Sequence, residues 1–163
     1  MECSSCGKVI VDNNFRIIDN QYVCLECIYG DIKPFKIFPI GFVENTLRRG
    51  KSFHLEGDRN QISKIHLFAS QAPFLYKLAD EKKIDILFYL NHQRSSIQSS
   101  FQRGIDGKKV GVFASRTPDR LTPIAITNVD LLEIQETTLY VKGLDAVDGT
   151  PVLDIKLGMN SYR

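Results

Sequence analysis

The sequence predicts a mainly β protein: a small barrel-like domain with one helix, behind a metal-held N-terminal head. Three observations predict it. All four cysteines fall between Cys3 and Cys27, in two Cys-x-x-Cys pairs. From Phe35 onward, short apolar or alternating runs recur between turn-forming residues, the pattern of strands in a sheet or barrel. One stretch alone, Pro73–Lys83, carries the one-sided apolar spacing of a helix.

The head comes first. Cys3-Ser4-Ser5-Cys6 is followed by 17 residues and then by Cys24-Leu25-Glu26-Cys27. Two residues between cysteines let one tight turn aim both sulfurs at a common centre, and two such turns supply four thiolates to a tetrahedral ion. The expected occupant is a structural Zn2+ held by Cys3, Cys6, Cys24 and Cys27. A filled four-thiolate site has no open position for catalysis. A redox pair would need a βαβ context, and none follows. Between the pairs, Val9–Val11, Phe15–Ile18 and Tyr22–Val23 alternate with Asp12-Asn13-Asn14 and Asp19-Asn20, which reads as a hairpin, so the head resembles a zinc ribbon or half of a LIM-type module. Its role stays open between a folding cap or dimer contact and a nucleic-acid contact through Lys8 and Arg16.

Gly30-Asp31-Ile32-Lys33-Pro34 punctuates the chain, so the expected division is a head of residues 1–33 and a second domain of residues 35–163. In the second domain, strands are expected at Phe35–Glu44 (interrupted by Pro39 and Gly41), Ile62–Phe68, Ile84–Leu90 and Val110–Ala114. An antiparallel pair, Ile124–Ile134 and Thr138–Val141, turns at Gln135-Glu136, and Val152–Leu157 is last. Pro73 opens the expected helix at its first turn, with Phe74, Leu75, Leu78 and Ala79 as its apolar stripe. Asn91–Lys109 is polar and long for a connector, so it reads as a binding loop or a solvated one.

With 21 basic and 19 acidic residues, the net charge of +2 excludes a strongly basic footprint. Nucleic-acid contact is confined to local patches: Arg48, Arg49 and Lys51, and the 91–109 stretch with Arg94, Phe101 and Arg103. The longest apolar-looking run, Ile37–Val43, is too short to span a bilayer and contains Pro39 and Gly41. The polar start, Met1–Lys8, has no apolar signal region, so a soluble cytoplasmic protein without membrane attachment is expected.

Two segments are distinctive: Gly111-Val112-Phe113-Ala114-Ser115-Arg116-Thr117-Pro118-Asp119-Arg120-Leu121-Thr122-Pro123-Ile124 and Gly143-Leu144-Asp145-Ala146-Val147-Asp148-Gly149-Thr150-Pro151-Val152. With Pro39-Ile40-Gly41-Phe42-Val43 and Ile86–Asn91, they closely resemble the TsaA-like family of TrmO-type tRNA methyltransferases, over roughly residues 35–157. The resemblance implies a small β-barrel that uses S-adenosylmethionine to methylate N6 of a modified adenosine beside the tRNA anticodon, and a homodimer with the cofactor near the subunit interface. It implies cofactor contacts from Arg116, Ile126, Asp145, Asp148, Gly149 and Thr150, and from Asn91 or His92. It assigns no catalytic side chain. Arg120 joins Arg48, Arg49, Lys51, Arg94 and Arg103 as a candidate RNA contact.

The chain also departs from the family. The usual Arg-Pro-Asn-Pro-Ile-Gly reads Arg120-Leu121-Thr122-Pro123-Ile124-Ala125, so an amide becomes a hydroxyl and a glycine gains a Cβ. Arg48–His54 shows no counterpart of the family's Pro-Arg-Gln segment, and the Lys-Pro-Tyr ending becomes Lys156-Leu157-Gly158. Two readings follow: a divergent tRNA methyltransferase, or a catalytically inactive zinc-containing RNA-binding or cofactor-sensing module on the same fold.

Overall fold

The computed structural model describes residues 1–50, 55–58, 60–91 and 96–159. In chain order the strands are β1 (Phe15–Ile18), β2 (Gln21–Cys24), β3 (Gly41–Glu44), β4 (Arg48–Arg49), β5 (Leu55–Glu56), β6 (Ile62–Leu67), β7 (Lys83–Tyr89), β8 (Ser96–Ile97), β9 (Ser100–Gln102), β10 (Lys109–Gly111), β11 (Ile124–Gln135), β12 (Thr138–Lys142) and β13 (Pro151–Leu157). A single α-helix among the described residues, α1, spans Leu25–Tyr29. No helix among the described residues is long and apolar enough to cross a membrane. The chain divides into two compact units, residues 1–36 with 93–123 and residues 37–92 with 124–163.

The second unit is a closed barrel in the order β11-β12-β6-β3-β13-β7, antiparallel throughout. Its core follows from period-two alternation. Ile84, Ile86 and Phe88 of β7, Ile65 and Leu67 of β6, and Leu139 and Val141 of β12 point inward with Val43, Val129, Leu144 and Val152. On β6 the inward set is Ser63, Ile65 and Leu67, and Ile62 lies on the solvent side. Ser63 is tolerated inside because its Oγ accepts a hydrogen bond from Asn45 Nδ2 at 3.0 Å.

One strand closes the barrel. β11 pairs with β7 over Ile124–Asp130 and with β12 over Asp130–Gln135, with a register shift between Leu131 and Glu133. A bulge bends a strand and raises its twist, which lets twelve residues serve two neighbours. The polar pair Asp85 and Asn128 faces across β7 and β11, joined by a 2.6 Å hydrogen bond from Asn128 Nδ2.

Four expectations need correcting. The expected strand Phe35–Glu44 is a strand over Gly41–Glu44 alone, and the expected strand Val110–Ala114 ends at Gly111 and passes into a 3-10 turn at Val112–Ala114. Pro73–Lys83 is not an α-helix: the chain makes 3-10 turns at Ala69–Leu75 and Leu78–Asp80, then enters β7 at Lys83. Lys77 between them has φ +61°, which an α-helix cannot contain. Leu75 and Leu78 still pack on the core, whereas Phe74 points to solvent. The polar stretch 91–109 is not one loop, because it supplies β8, β9 and the start of β10.

The β3–β6 crossing is tight at Gly41. A Cβ there would lie 2.3 Å from the His66 carbonyl oxygen and 2.8 Å from the Leu67 Cα, both backbone atoms of the paired strand. Gly41→Ala is therefore expected to lower stability by about 1–3 kcal/mol, the usual cost of overpacking. The urea midpoint of unfolding checks this, with the slope unchanged.

Candidate metal centre and cofactor site

The head brings its four sulfurs together. Cys3, Cys6, Cys24 and Cys27 have Sγ atoms all within 4.8 Å of one another, with 3.8 Å for Cys3–Cys27 and 3.9 Å for Cys6–Cys24. None is disulfide-bonded. Four sulfurs each about 2.3 Å from a tetrahedral ion lie about 3.8 Å apart, so the set fits zinc. The first knuckle closes through Gly7 N–H to Cys3 O at 2.8 Å, with Gly7 at φ +74°. The second runs from β2 into α1, with Cys24 as the helix N-cap.

Electrostatics in the cluster point the same way. The Cys24 backbone N–H, 3.3 Å from Cys3 Sγ, draws the Cys3 thiol down to about 6. Hydrogen bonding of the Cys27 thiol to the Cys24 and Cys6 sulfurs pushes Cys27 up to about 12. A crowd of sulfurs ionises at one corner and holds its proton at another until a cation balances the charge. Of the basic residues in the head, Lys8 is paired with Glu26 at 2.9 Å, and Arg16 donates to the Phe15 carbonyl.

The cofactor candidates fall in both units. Arg116 belongs to the unit containing the head; Asn91, Ile126, Asp145, Asp148, Gly149 and Thr150 belong to the barrel unit. Arg116 and Asp145 are exposed, and neither side chain has a hydrogen bond or ion pair among the described residues. Asp148 is differently employed. Its Oδ1 accepts the Asn45 N–H at 3.0 Å, and its Oδ2 lies 3.6 Å from Arg48 Nη2. Gly149, at φ +75°, donates its N–H to Val43 O, and Thr150 O accepts the Val43 N–H. Thr150 is buried. Asp148, Gly149 and Thr150 thus bind the turn to the end of β3 and leave Asp145 displayed. Ile126 is 45% exposed on β11, and Asn91 is exposed after β7. His92 lies outside the described residues. Ala125 packs against the core opposite Phe88, so its added Cβ is taken up by the barrel wall.

Of the RNA candidates, Lys51 and Arg94 lie outside the described residues. Arg48 is exposed beside Asp148, with Nη1 on the carbonyls of Asn45 and Leu47. Arg49 lies in β4, half-buried. Arg103 forks onto Asp106 through Nε and Nη2 at 3.0 and 2.6 Å, and reaches Ala114 O. Arg120 donates to Val112 O at 3.1 Å. These last two are committed to the fold of their own segment.

Asn45 went unread in the sequence. Its Nδ2 reaches Ser63 Oγ and Ala146 O, and its Oδ1 accepts the Leu47 N–H. It organises the turn that bears Asp145 and Asp148. An Asn after a strand signals a turn, but its partners around position 146 are remote in sequence.

The family model described as the tRNA-methyltransferase O N-terminal domain matches residues 54–162. An S-adenosyl-L-methionine-binding protein of Archaeoglobus fulgidus is 31% identical over 119 residues, 72% of this chain and 85% of that protein. A tRNA (adenine(37)-N6)-methyltransferase of Mus musculus is 44% identical over 58 residues, 36% of this chain and 14% of the mouse protein. The crystal structure of TrmO from P. aeruginosa superposes with a TM-score of 0.60 at 22% identity, over 79% of this chain and 56% of that one. The chain thus spans a little over half of that structure, and the likeness at this identity is one of fold.

The metal reading predicts that the purified chain carries one zinc ion per molecule. Cys27→Ser is expected to lose it under dialysis, by elemental analysis, because three thiolates leave the tetrahedron open.

Proposed function

Because the chain belongs to the tRNA-methyltransferase O N-terminal domain family, we propose that it binds S-adenosylmethionine and methylates tRNA, on N6 of a modified adenosine beside the anticodon. The observation that carries this reading is the family match over residues 54–162. It is supported by a relative named for S-adenosyl-L-methionine binding along most of its length and by another named as a tRNA adenine methyltransferase. When bound, S-adenosylmethionine supplies an electrophilic methyl group on a sulfonium. The protein's task is then orientation, which needs no side chain in covalent chemistry.

In this reading Asp145 accepts hydrogen bonds from the cofactor's ammonium or ribose hydroxyls, a charge-assisted contact that its free carboxylate suits. Arg116 pairs a carboxylate or phosphate through its planar fork. Asp148, Gly149 and Thr150 hold the turn, Ile126 offers an apolar wall, and Asn91 or His92 a polar contact. Arg48, exposed beside Asp148, supplies the first cation for the RNA backbone. Arg49, Lys51 and Arg94 extend that role. Arg103 and Arg120 contribute through the segment they brace. The Zn2+ of residues 1–33 is structural, and residues 35–163 carry the cofactor and the transfer. The reading includes a homodimer, for which the exposed Tyr89 of β7 and Ile126 of β11 offer apolar contacts. A cytoplasmic place, where tRNA is found, completes it.

A second reading keeps the cofactor without the transfer. It is favoured by the matched relative of Archaeoglobus being named for binding alone and by the hydroxyl of Thr122 standing where the family has an amide. One assay separates the two. Protein, methyl-labelled S-adenosylmethionine and tRNA are incubated, and the tRNA is digested to nucleosides. Label in an N6-methylated adenosine supports transfer; cofactor binding with unlabelled tRNA supports the second reading. Asp145→Asn is expected to weaken cofactor affinity about tenfold or more, the scale of one hydrogen bond to a charged group, with stability unchanged.

A further inference from the structure

Residues 96–123 have almost no interior of their own. Ile97 and Pro123 are the buried side chains among them. The β9–β10 hairpin is two-stranded, and an isolated two-stranded hairpin is marginally stable in water. Something else must hold this stretch, and the structure shows what. β8 lies parallel to β1, with Ile17 opposite Ser96 and Ile18 opposite Ile97, in the sheet order β2-β1-β8. Asp19 N–H donates to Ile97 O at 2.8 Å. The Asp19 carboxylate then takes two donors from one residue, the Ser99 N–H at 2.9 Å on Oδ1 and the Ser99 hydroxyl at 2.5 Å on Oδ2. That hydroxyl and that N–H hold the Asp19 carboxyl below its ordinary range.

From Ser99 the bonding runs on toward Arg116. Val112 N–H donates to Ser99 O at 3.1 Å, closing the far end of the hairpin. The Val112 carbonyl then accepts from Ser115 N–H, Ser115 Oγ and Arg120 Nη2, and Arg103 Nη1 binds Ala114 O. Ser115 Oγ in turn receives the Thr117 N–H.

The anchor has the same weakness as its cargo. Among residues 1–36, Cys3 alone is buried. The β1–β2 hairpin ends on Cys24, paired with Phe15, and turns through Asp19 and Asn20, both at positive φ. A head without an apolar core folds on its metal.

We propose that the four-thiolate centre, acting through the Asp19–Ser99 clamp, positions the 96–120 segment that bears Arg116, so that metal occupancy of the head sets the order of that segment. Asp19 is a positioning residue. The inference rests on the metal reading of the four cysteines and is independent of whether methyl transfer occurs.

Hydrogen exchange by mass spectrometry on the full, zinc-loaded chain tests it, with cofactor and tRNA absent throughout so that the enzymatic reading does not enter. Removing zinc with a chelator is expected to raise exchange at least tenfold in residues 1–29 and in 96–115 together, while β6, β7 and β12 keep their protection. Asp19→Gly retains the positive φ but deletes both acceptors. It is expected to keep one zinc per chain, to leave the two cysteine knuckles protected and to release 96–115. Asp19→Asn, which keeps one acceptor, is expected to restore part of that protection. Protection of 96–115 that survives chelation while residues 1–29 exchange freely overturns the proposal. So does loss of the barrel strands together with the head, since the coupling would then be general unfolding. Unchanged exchange of 96–115 in Asp19→Gly overturns the part assigned to the clamp.

Discussion

The pairing of β7 with β11 is the constraint on which the rest of the structure depends. These strands lie side by side from Lys83 to Tyr89 and from Ile124 to Asp130, and their pairing closes the barrel. Yet residues 90–123 separate them in sequence. Neighbouring antiparallel strands need only a short turn, so this long excursion must find support outside the barrel wall. Among its described residues only Ile97 and Pro123 are buried. The support comes from the edge of β1, in a head that itself has sulfurs in place of an apolar core. Closure of one sheet thus creates a need that a second sheet, beside the four-cysteine cluster, meets.

The turn at Asp145–Thr150 shows how a site is divided between display and support. Asp148, Gly149 and Thr150 are joined to Asn45 and Val43 at the end of β3, and Asn45 spreads its amide over Ser63, Ala146 and Leu47. A carboxylate that already accepts a backbone N–H and lies near an arginine has less to give a ligand. Asp145, two residues after a glycine at φ +91°, stays uncommitted. The same division runs through the arginines. Arg103 and Arg120 brace carbonyls within their segment, and Arg116 is left open. Exposed ion pairs such as Lys8–Glu26 contribute little to stability, so these commitments matter for order more than for energy.

What could be read from sequence follows the range of the interaction that shapes each element. The cysteine pairs were legible because a knuckle is a local object whose spacing is the ligand geometry. The barrel strands were legible where one face is buried, as at Ile84, Ile86 and Phe88, because alternation records burial. The expected helix at Pro73–Lys83 failed because nothing in the sequence marks Lys77 as left-handed, and Leu75 and Leu78 reach the core from separate turns. Strands β8 and β9 were hidden because edge strands that bury almost nothing carry polar sequence. The clamp was hidden too: Asp19 reads as an ordinary turn residue, and its partner Ser99 lies 80 residues away. In the candidate site, the matched motif supplied Arg116 and Asp145, but the supporting Asn45 came from the fold alone.

The account turns on whether this chain, with its altered motifs, still holds the cofactor. Calorimetric titration of S-adenosylmethionine into the purified, zinc-loaded protein tests that most directly. The account predicts saturable binding in the micromolar range, weakened by Asp145→Asn. A folded protein that releases no heat and shows no binding would contradict it, and the altered motifs would then mark an emptied site on a retained fold.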